Sequence, residues 1–344
     1  MRMIGAGGTR VERAGRVCMC FTGGVRRAVL WIGVLLLVAP HAWGQYPSRP
    51  LHIIVPYLAG SASDTLARVI ADPLSKALAQ PVIVENRAGA NSTIGTEYVA
   101  KASPDGYTVL LGTNAGLAAS PAGLSRSVGY DPVKDLAPIG QVGTISYVLL
   151  ANTALPASSL RELLEYVRAN PGRLNCASGN TGGILHLELL KRLAGIELVH
   201  VPYKSTPPAL TDLIAGHVQL MFADIATGIP RIRSGQVRAF VVSSPKRSSL
   251  LPEVPTFAEA GVKDMVEFPG WWAFYGPAGM DRSIIERLNA EINQILRRGD
   301  VRERLAASGI ELSGSTPAQL GAYTRDQLQA YARLFKEFNI QAEQ

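Results

Sequence analysis

HIIVPYLAGSASDTLARVIADPLSKAL, residues 52–78, decides the reading of the chain. Ile53, Ile54 and Val55 form a short continuous apolar run, the mark of a parallel strand buried on both faces. Pro56 stops the strand and Gly60 lets the chain turn. Ser61 and Asp64 then stand at the S-x-x-D spacing of a helix-capping box. Leu66, Val69, Ile70, Leu74, Ala77 and Leu78 recur at steps of three and four, the apolar stripe of an amphipathic helix. Pro73, inside that helix, is expected to kink it. A strand that turns through small residues into a helix start leaves backbone N–H groups aimed at one spot. Such a spot holds a carboxylate or phosphate through hydrogen bonds and the helix dipole, although an ordinary capped turn has the same signature.

Residues 1–44 read as a secretory leader. Arg26-Arg27 precede the apolar stretch AVLWIGVLLLVA (residues 28–39), and Ala42-Trp43-Gly44 supplies small residues for a cut before Gln45. The stretch is short for a membrane span. Met19 is a second possible start, because the region ahead of the apolar stretch is long. Cleavage changes the charge reading. The chain has 34 Lys and Arg against 27 Asp and Glu, a net charge of +7. Six basic residues and one acidic residue lie in the leader, so the mature part carries 28 against 26, or +2. It has no long basic run, and nucleic acid is not an expected partner. Cys18 and Cys20 leave with the leader. Cys176 remains alone, which excludes an intramolecular disulfide and a cysteine-rich metal site in the mature chain. Its simplest role is that of a small buried apolar residue.

Downstream, short strands alternate with amphipathic helices. Strands are expected at 81–85 and 107–111, with a helix at 93–101 between them and the small polar loop Gly112-Thr113-Asn114-Ala115-Gly116 after them. This βαβαβ order implies a parallel sheet with right-handed crossovers. Residues 121–138, rich in Pro, Gly and Asp, read as a connecting excursion, and 145–151 as a strand crossing into a second lobe. There a capping box at Ser159 and Glu162 opens a helix. Residues 174–177 lead into a second glycine loop, Ser178-Gly179-Asn180-Thr181-Gly182-Gly183, and a helix to about residue 193. Strands at 199–201, 218–222 and 237–242 and a helix at 208–215 complete that lobe. Residues 271–275 return, and helices near 281–298, 300–308 and 316–338 close the chain. The fold class is therefore α/β with two lobes. Ligands in open α/β sheets sit at the carboxyl ends of strands, where both glycine loops lie.

YPSRPLHIIVPYLAGSASDTLAR, PVIVENRAGA, SPDGYTVLLGT, YDPVKDLAPIG, LVHVPYKSTPPALTDLIAGHVQLMF, IRSGQVRAFVVSS, LPEVPTFAEAG and RLNAEINQIL occur in this order across the mature chain. Together they resemble the extracytoplasmic solute receptors of tripartite tricarboxylate transporters, the Bug-type binding proteins. The resemblance implies a periplasmic two-lobe protein of the type II, Venus-flytrap kind that closes on a small carboxylate and delivers it to membrane permease subunits. It implies lobe 1 from residues 45–144 and 269–344, lobe 2 from 145–268, and a monomer. The family's first turn reads F-P-P-G-G-G-T-D. Residues 57–64 here are Tyr57-Leu58-Ala59-Gly60-Ser61-Ala62-Ser63-Asp64, a bulkier wall. Ile184-Leu185 stands where the family has His-Leu, with His186 two residues on.

The expected ligand-binding residues are Tyr57, Ala59, Gly60, Ser61, Ala62, Ser63 and Asp64 in the first loop, Thr113 and Asn114 after the third strand, and Ser178, Asn180, Thr181, Tyr203 and Asp224 in the second lobe. Asp64 reads foremost as a helix-start residue that stiffens its loop. Asp224 ends a strand and reads equally as a ligand contact or a helix cap. Lys204 reads as a surface lysine. The mature histidines, His52, His186, His200 and His217, show no metal-ligand spacing, and no HExxH, GxSxG or Walker pattern occurs in the mature chain. No catalytic residue, metal or cofactor is expected. A partner of a sensor kinase and an enzyme on the same scaffold are the alternatives; the second needs an activated nucleophile, a metal set or a cofactor lysine, and none stands out.

Overall fold

The computed structural model describes residues 46–125, 127–265 and 268–338. The expected leader, residues 1–44, lies outside them. Two sheets carry the architecture. The first has six strands, in the order β11 (Ile310–Leu312), β4 (Leu136–Ile145), β10 (Gly270–Pro277), β3 (Thr108–Thr113), β1 (Leu51–Val55) and β2 (Val82–Asn86), and the second has five, in the order β7 (Val199–Pro202), β6 (Asn175–Ser178), β8 (Leu220–Asp224), β5 (Tyr147–Asn152) and β9 (Val237–Val242).

In the first sheet, β1 (Leu51–Val55) pairs in parallel with β2 (Val82–Asn86) and β3 (Thr108–Thr113). Alternation along β1 feeds two cores. Leu51, Ile53 and Val55 pack with helix α1 (Ala62–Leu78), whereas Ile54 packs on the other face with Val99 of α2 (Thr93–Ala100). A strand apolar at every position is what a two-faced layer requires. Helix α1 runs unbroken through Pro73; the proline removes one donor, and its turn is held by burial against the core.

The chain changes sheet where two strands meet end to end. β4 (Leu136–Ile145) belongs to the first sheet and β5 (Tyr147–Asn152) to the second, with Ser146 between them. A single crossing strand over 145–151 was expected. Pro138, Gly140 and Gly143 hid the longer β4, which pairs antiparallel with β10 (Gly270–Pro277) through two register shifts. The expected loop after β3 is instead a π-helical segment, Ala115–Leu124.

The second sheet adds β6 (Asn175–Ser178), β7 (Val199–Pro202), β8 (Leu220–Asp224) and β9 (Val237–Val242). Helices α3 (Leu160–Ala169) and α4 (Thr181–Ala194) share one core with Leu149 and Ala151. Helices α5 (Thr206–Ala215) and α6 (Ile225–Arg233) face the other core with Val148 and Leu150. After β10 come α7 (Arg282–Arg297), α8 (Gly299–Ala306), the short β11 (Ile310–Leu312) and α9 (Pro317–Glu337). They return to the first sheet, where β11 pairs with β4.

Candidate functional site

A pocket lies between the two sheets, with about 350 Å³ of empty space when the open solvent at its mouth is counted. Its wall on the first sheet is Tyr57, Ser61, Ala62, Ser63, Thr113, Asn114, Ile145, Gly270, Trp271 and Trp272; the second sheet contributes Tyr147, Asn180, Thr206 and Asp224. No lysine, arginine or histidine lines it.

The first loop is built from behind. Gly60 turns at φ 81°, and Ser61 Oγ accepts the Asp64 N–H at 3.2 Å, capping α1. The buried Asp64 carboxylate accepts the Gly60 N–H at 3.0 Å, the Asn86 amide at 3.0 Å and the Arg68 guanidinium at 3.1 Å. Asn86 also donates to the Tyr57 carbonyl at 2.9 Å. Burial pushes the Asp64 carboxyl up, but the Arg68, Gly60 and Asn86 hydrogen bonds outweigh it and hold the group below the usual carboxylate range. Asp64 is thus a brace behind the turn. In front, the Trp272 indole N–H donates to Ser63 Oγ at 2.8 Å, leaving the Ser63 hydroxyl hydrogen free for another acceptor.

On the facing wall Asn180, Thr206 and Asp224 each sit at a helix start. Asn180 caps α4 by accepting the Gly183 N–H at 2.9 Å, and its amide reaches Thr206 Oγ1 at 3.1 Å. Thr206 opens α5, followed by Pro207 and Pro208 in the first turn, where proline's missing N–H costs nothing. Asp224 caps α6 by accepting the Thr227 N–H at 3.0 Å. Together with α1, four helix N-termini converge on one pocket, two sheets contributing to it. Their dipoles and unsatisfied N–H groups make the space favourable for an anion without a cationic side chain.

Tyr147 crosses between the walls. Its ring lies 5.0 Å from the His186 ring and its phenol is fully buried, which raises its pKa well above the usual value. Burial likewise raises Tyr57 to about 12, so both phenols stay protonated donors. His186 is buried with its Nδ1 2.7 Å from the Gly182 carbonyl, and desolvation lowers its pKa to about 4. It is a neutral packing partner of Tyr147 and Phe222.

Of the residues expected from sequence, Tyr57, Ser61, Ala62, Ser63, Thr113, Asn114, Asn180 and Asp224 come together here. The others are placed elsewhere. Ala59 and Gly60 are exposed on the turn and do not line the pocket. Asp64 faces Arg68 and Asn86 instead of the pocket. Ser178 is buried with Oγ 2.6 Å from His200 Nε2, and Thr181 is buried behind the Asn180 cap. Tyr203 donates to Asp212 at 2.5 Å, outside the pocket. For Asp224 both readings hold in geometry, since it caps α6 and lines the pocket. Sequence reasoning missed Ile145, Tyr147, Thr206, Gly270, Trp271 and Trp272. Ser205-Thr206-Pro207-Pro208 carried a helix-start signal; the aromatic pair at 271–272 signalled only a strand. Cys176 is fully buried, and burial pushes its thiol up to about 12.

Residues 66–340 match the family described as tripartite tricarboxylate transporter family receptor. The chain belongs to this family. It is 37% identical over 310 residues to protein BugT of Bordetella pertussis, covering 90% of this chain and 95% of that protein. Among solved structures, the periplasmic binding protein BugD is 34% identical with a TM-score of 0.82, over 87% of this chain and all of BugD. Rpa4515 of R. palustris, solved with adipate, is 31% identical with a TM-score of 0.83, over 87% of this chain and all of Rpa4515. MatC of Rhodopseudomonas palustris, solved with bound malate, is 31% identical with a TM-score of 0.79, over 84% of this chain and 99% of MatC. The two-lobe α/β architecture and the role of a periplasmic solute-binding receptor follow from this membership.

Proposed function

We propose that this receptor captures a small organic acid in the pocket between its sheets and delivers it, chemically unchanged, to membrane permease subunits. The observation that carries the reading is the convergence of four helix starts from both sheets on a space lined by no cationic side chain. Such a site gives a carboxylate hydrogen bonds and dipole stabilisation in place of a salt bridge. The related receptors solved with adipate and malate support this ligand class. Tyr57, Ser61, Ala62, Ser63, Thr113, Asn114, Asn180 and Asp224 are the contacts proposed from the expected set, joined by Tyr147 and Thr206. Closure swings residues 145–268 against residues 45–144 and 269–344, with the crossing at Ser146 as one hinge strand. The working form is a periplasmic monomer freed of residues 1–44.

A thermal-shift panel of mono-, di- and tricarboxylates, aromatic acids included, tests the reading. A ligand that binds only the folded form stabilises it by about 2.7 kcal/mol at a hundredfold excess over Kd. At least one acid is expected to raise Tm saturably, while its diamide, its diester and simple sugars do not. A sugar or amide that matches the best acid overturns the proposal.

A further inference from the structure

Among the described residues Asp224 is the one charged side chain lining the pocket. It is 5% exposed, and its two oxygens have different neighbours. Oδ1 accepts the Thr227 N–H at 3.0 Å and the Thr227 hydroxyl at 2.6 Å, both on its own helix. Oδ2 accepts the Thr206 hydroxyl at 3.2 Å and the Asn180 amide at 3.4 Å. Thr206 and Asn180 themselves line the pocket, so Oδ2 is the oxygen on the ligand side. The titratable groups facing Asp224 from other elements are Tyr147 of β5 and Tyr57 after β1, and both are neutral. No cation among the lining residues offsets its charge. Burial holds its carboxyl above the usual range despite the hydrogen bonds from Thr227 and Thr206.

An organic anion bound among these lining residues brings a second carboxylate close to this one. Closure removes the water that would screen them, and two carboxylates sharing a small dry site do not both stay ionised. Resting on the carboxylate reading above, we propose that Asp224 is a specificity-determining residue that makes capture proton-coupled. The complex takes one proton from solvent and shares it between Asp224 Oδ2 and a ligand carboxyl oxygen. No heavy-atom bond forms or breaks. The ligand class is then a diacid: one carboxylate lies against the helix starts, and the other is held as a hydrogen carboxylate pair with Asp224.

Titration calorimetry of the full mature protein and Asp224→Asn tests this with succinate, adipate and malate. It is run from pH 5.5 to 8 in two buffers of different ionisation enthalpy. Asparagine keeps an oxygen for the Thr227 cap. The wild-type protein is expected to take up close to one proton per diacid and to lose about tenfold in affinity per pH unit across the coupled range. Asp224→Asn is expected to show no Asp224-linked uptake, a flat profile, and tighter binding than wild type at pH 8. Equal uptake in the two proteins, or a pH-independent wild-type affinity, overturns the inference and leaves the carboxylate reading standing. So does weaker binding by Asp224→Asn at every pH, which is the result if Asp224 accepts a ligand hydroxyl or ammonium. If no acid of the wider thermal-shift panel binds either protein at any pH, the carboxylate reading falls and this inference falls with it.

Discussion

One methyl group at Gly182 should disable the pocket while leaving the protein folded. A Cβ there would stand 1.9 Å from Cζ of Tyr147 and 2.3 Å from its hydroxyl oxygen. The ring must shift, and Gly270 on the opposite wall lies close to the same oxygen, since a Cβ built there would come within 2.6 Å of it. Gly182 is in the first turn of α4 without a positive φ, so alanine meets no backbone strain. Helix propensity favours Gly182→Ala by about 0.5–1 kcal/mol. Overpacking opposes it by about 1–3 kcal/mol. The net destabilisation should therefore be modest, on the order of 1–2 kcal/mol. Binding should suffer much more, since the displaced ring moves into the ligand space and opens the walls. We expect a Kd increase of more than about tenfold, over 1.4 kcal/mol, measured by calorimetry beside urea unfolding of the same variant. A Gly182→Ala protein that binds the best acid with wild-type affinity would refute the placement of Tyr147 as the element between the walls.

Other expectations follow from the braces behind the pocket. Asp64→Ala removes a buried acceptor from Gly60 and Asn86 and should cost about 2–4 kcal/mol, mostly from hydrogen bonds to a charged group, with the Arg68 pair adding little because Arg68 is 54% exposed. Because the folded-state pKa of Asp64 is depressed, its contribution is present above the unfolded value of about 3.9 and is lost as pH falls through the folded one. Asp64→Asn should therefore flatten the acid limb of a Tm-against-pH curve, and an unchanged limb would count against the brace. Trp272→Phe deletes the N–H that fixes Ser63 and should cost about 1 kcal/mol of stability together with a several-fold loss of affinity; if Ser63→Ala then adds its full effect on top, the two residues do not act as a pair. Intact mass of periplasmic material should begin at Gln45 without lipid, and a form retaining residues 28–39 would contradict the leader reading.

The fold was legible wherever local chemistry was unambiguous. Ile53-Ile54-Val55, the Ser61 cap and the stripe from Leu66 to Leu78 specify β1 and α1 almost residue by residue. The same signals marked Ser159 as a helix start, whereas Asn180, read as a loop residue, proves to cap α4. β4 escaped because Pro138 and its two glycines are tolerated in an irregular strand that pairs with β10 through register shifts. The site was legible in the two glycine loops, whose turn chemistry is local. Tyr147, Gly270 and Trp272 were not, because nothing near them in sequence shows that strands from different lobes bring them together. A carboxylate at the third helical position, as Asp64 is, can face the pocket or Arg68 and Asn86, and only the tertiary contacts choose.

The decisive measurement is a structure of the protein with the acid that stabilises it most. One carboxylate should lie against the start of α1, within hydrogen-bonding distance of Ser61 or Ser63, with the rest of the molecule reaching Asn180, Thr206 and Asp224 on the facing wall. An acid found instead in the open groove beside Arg297 and Arg302, with the space between the sheets empty, would contradict capture by helix starts.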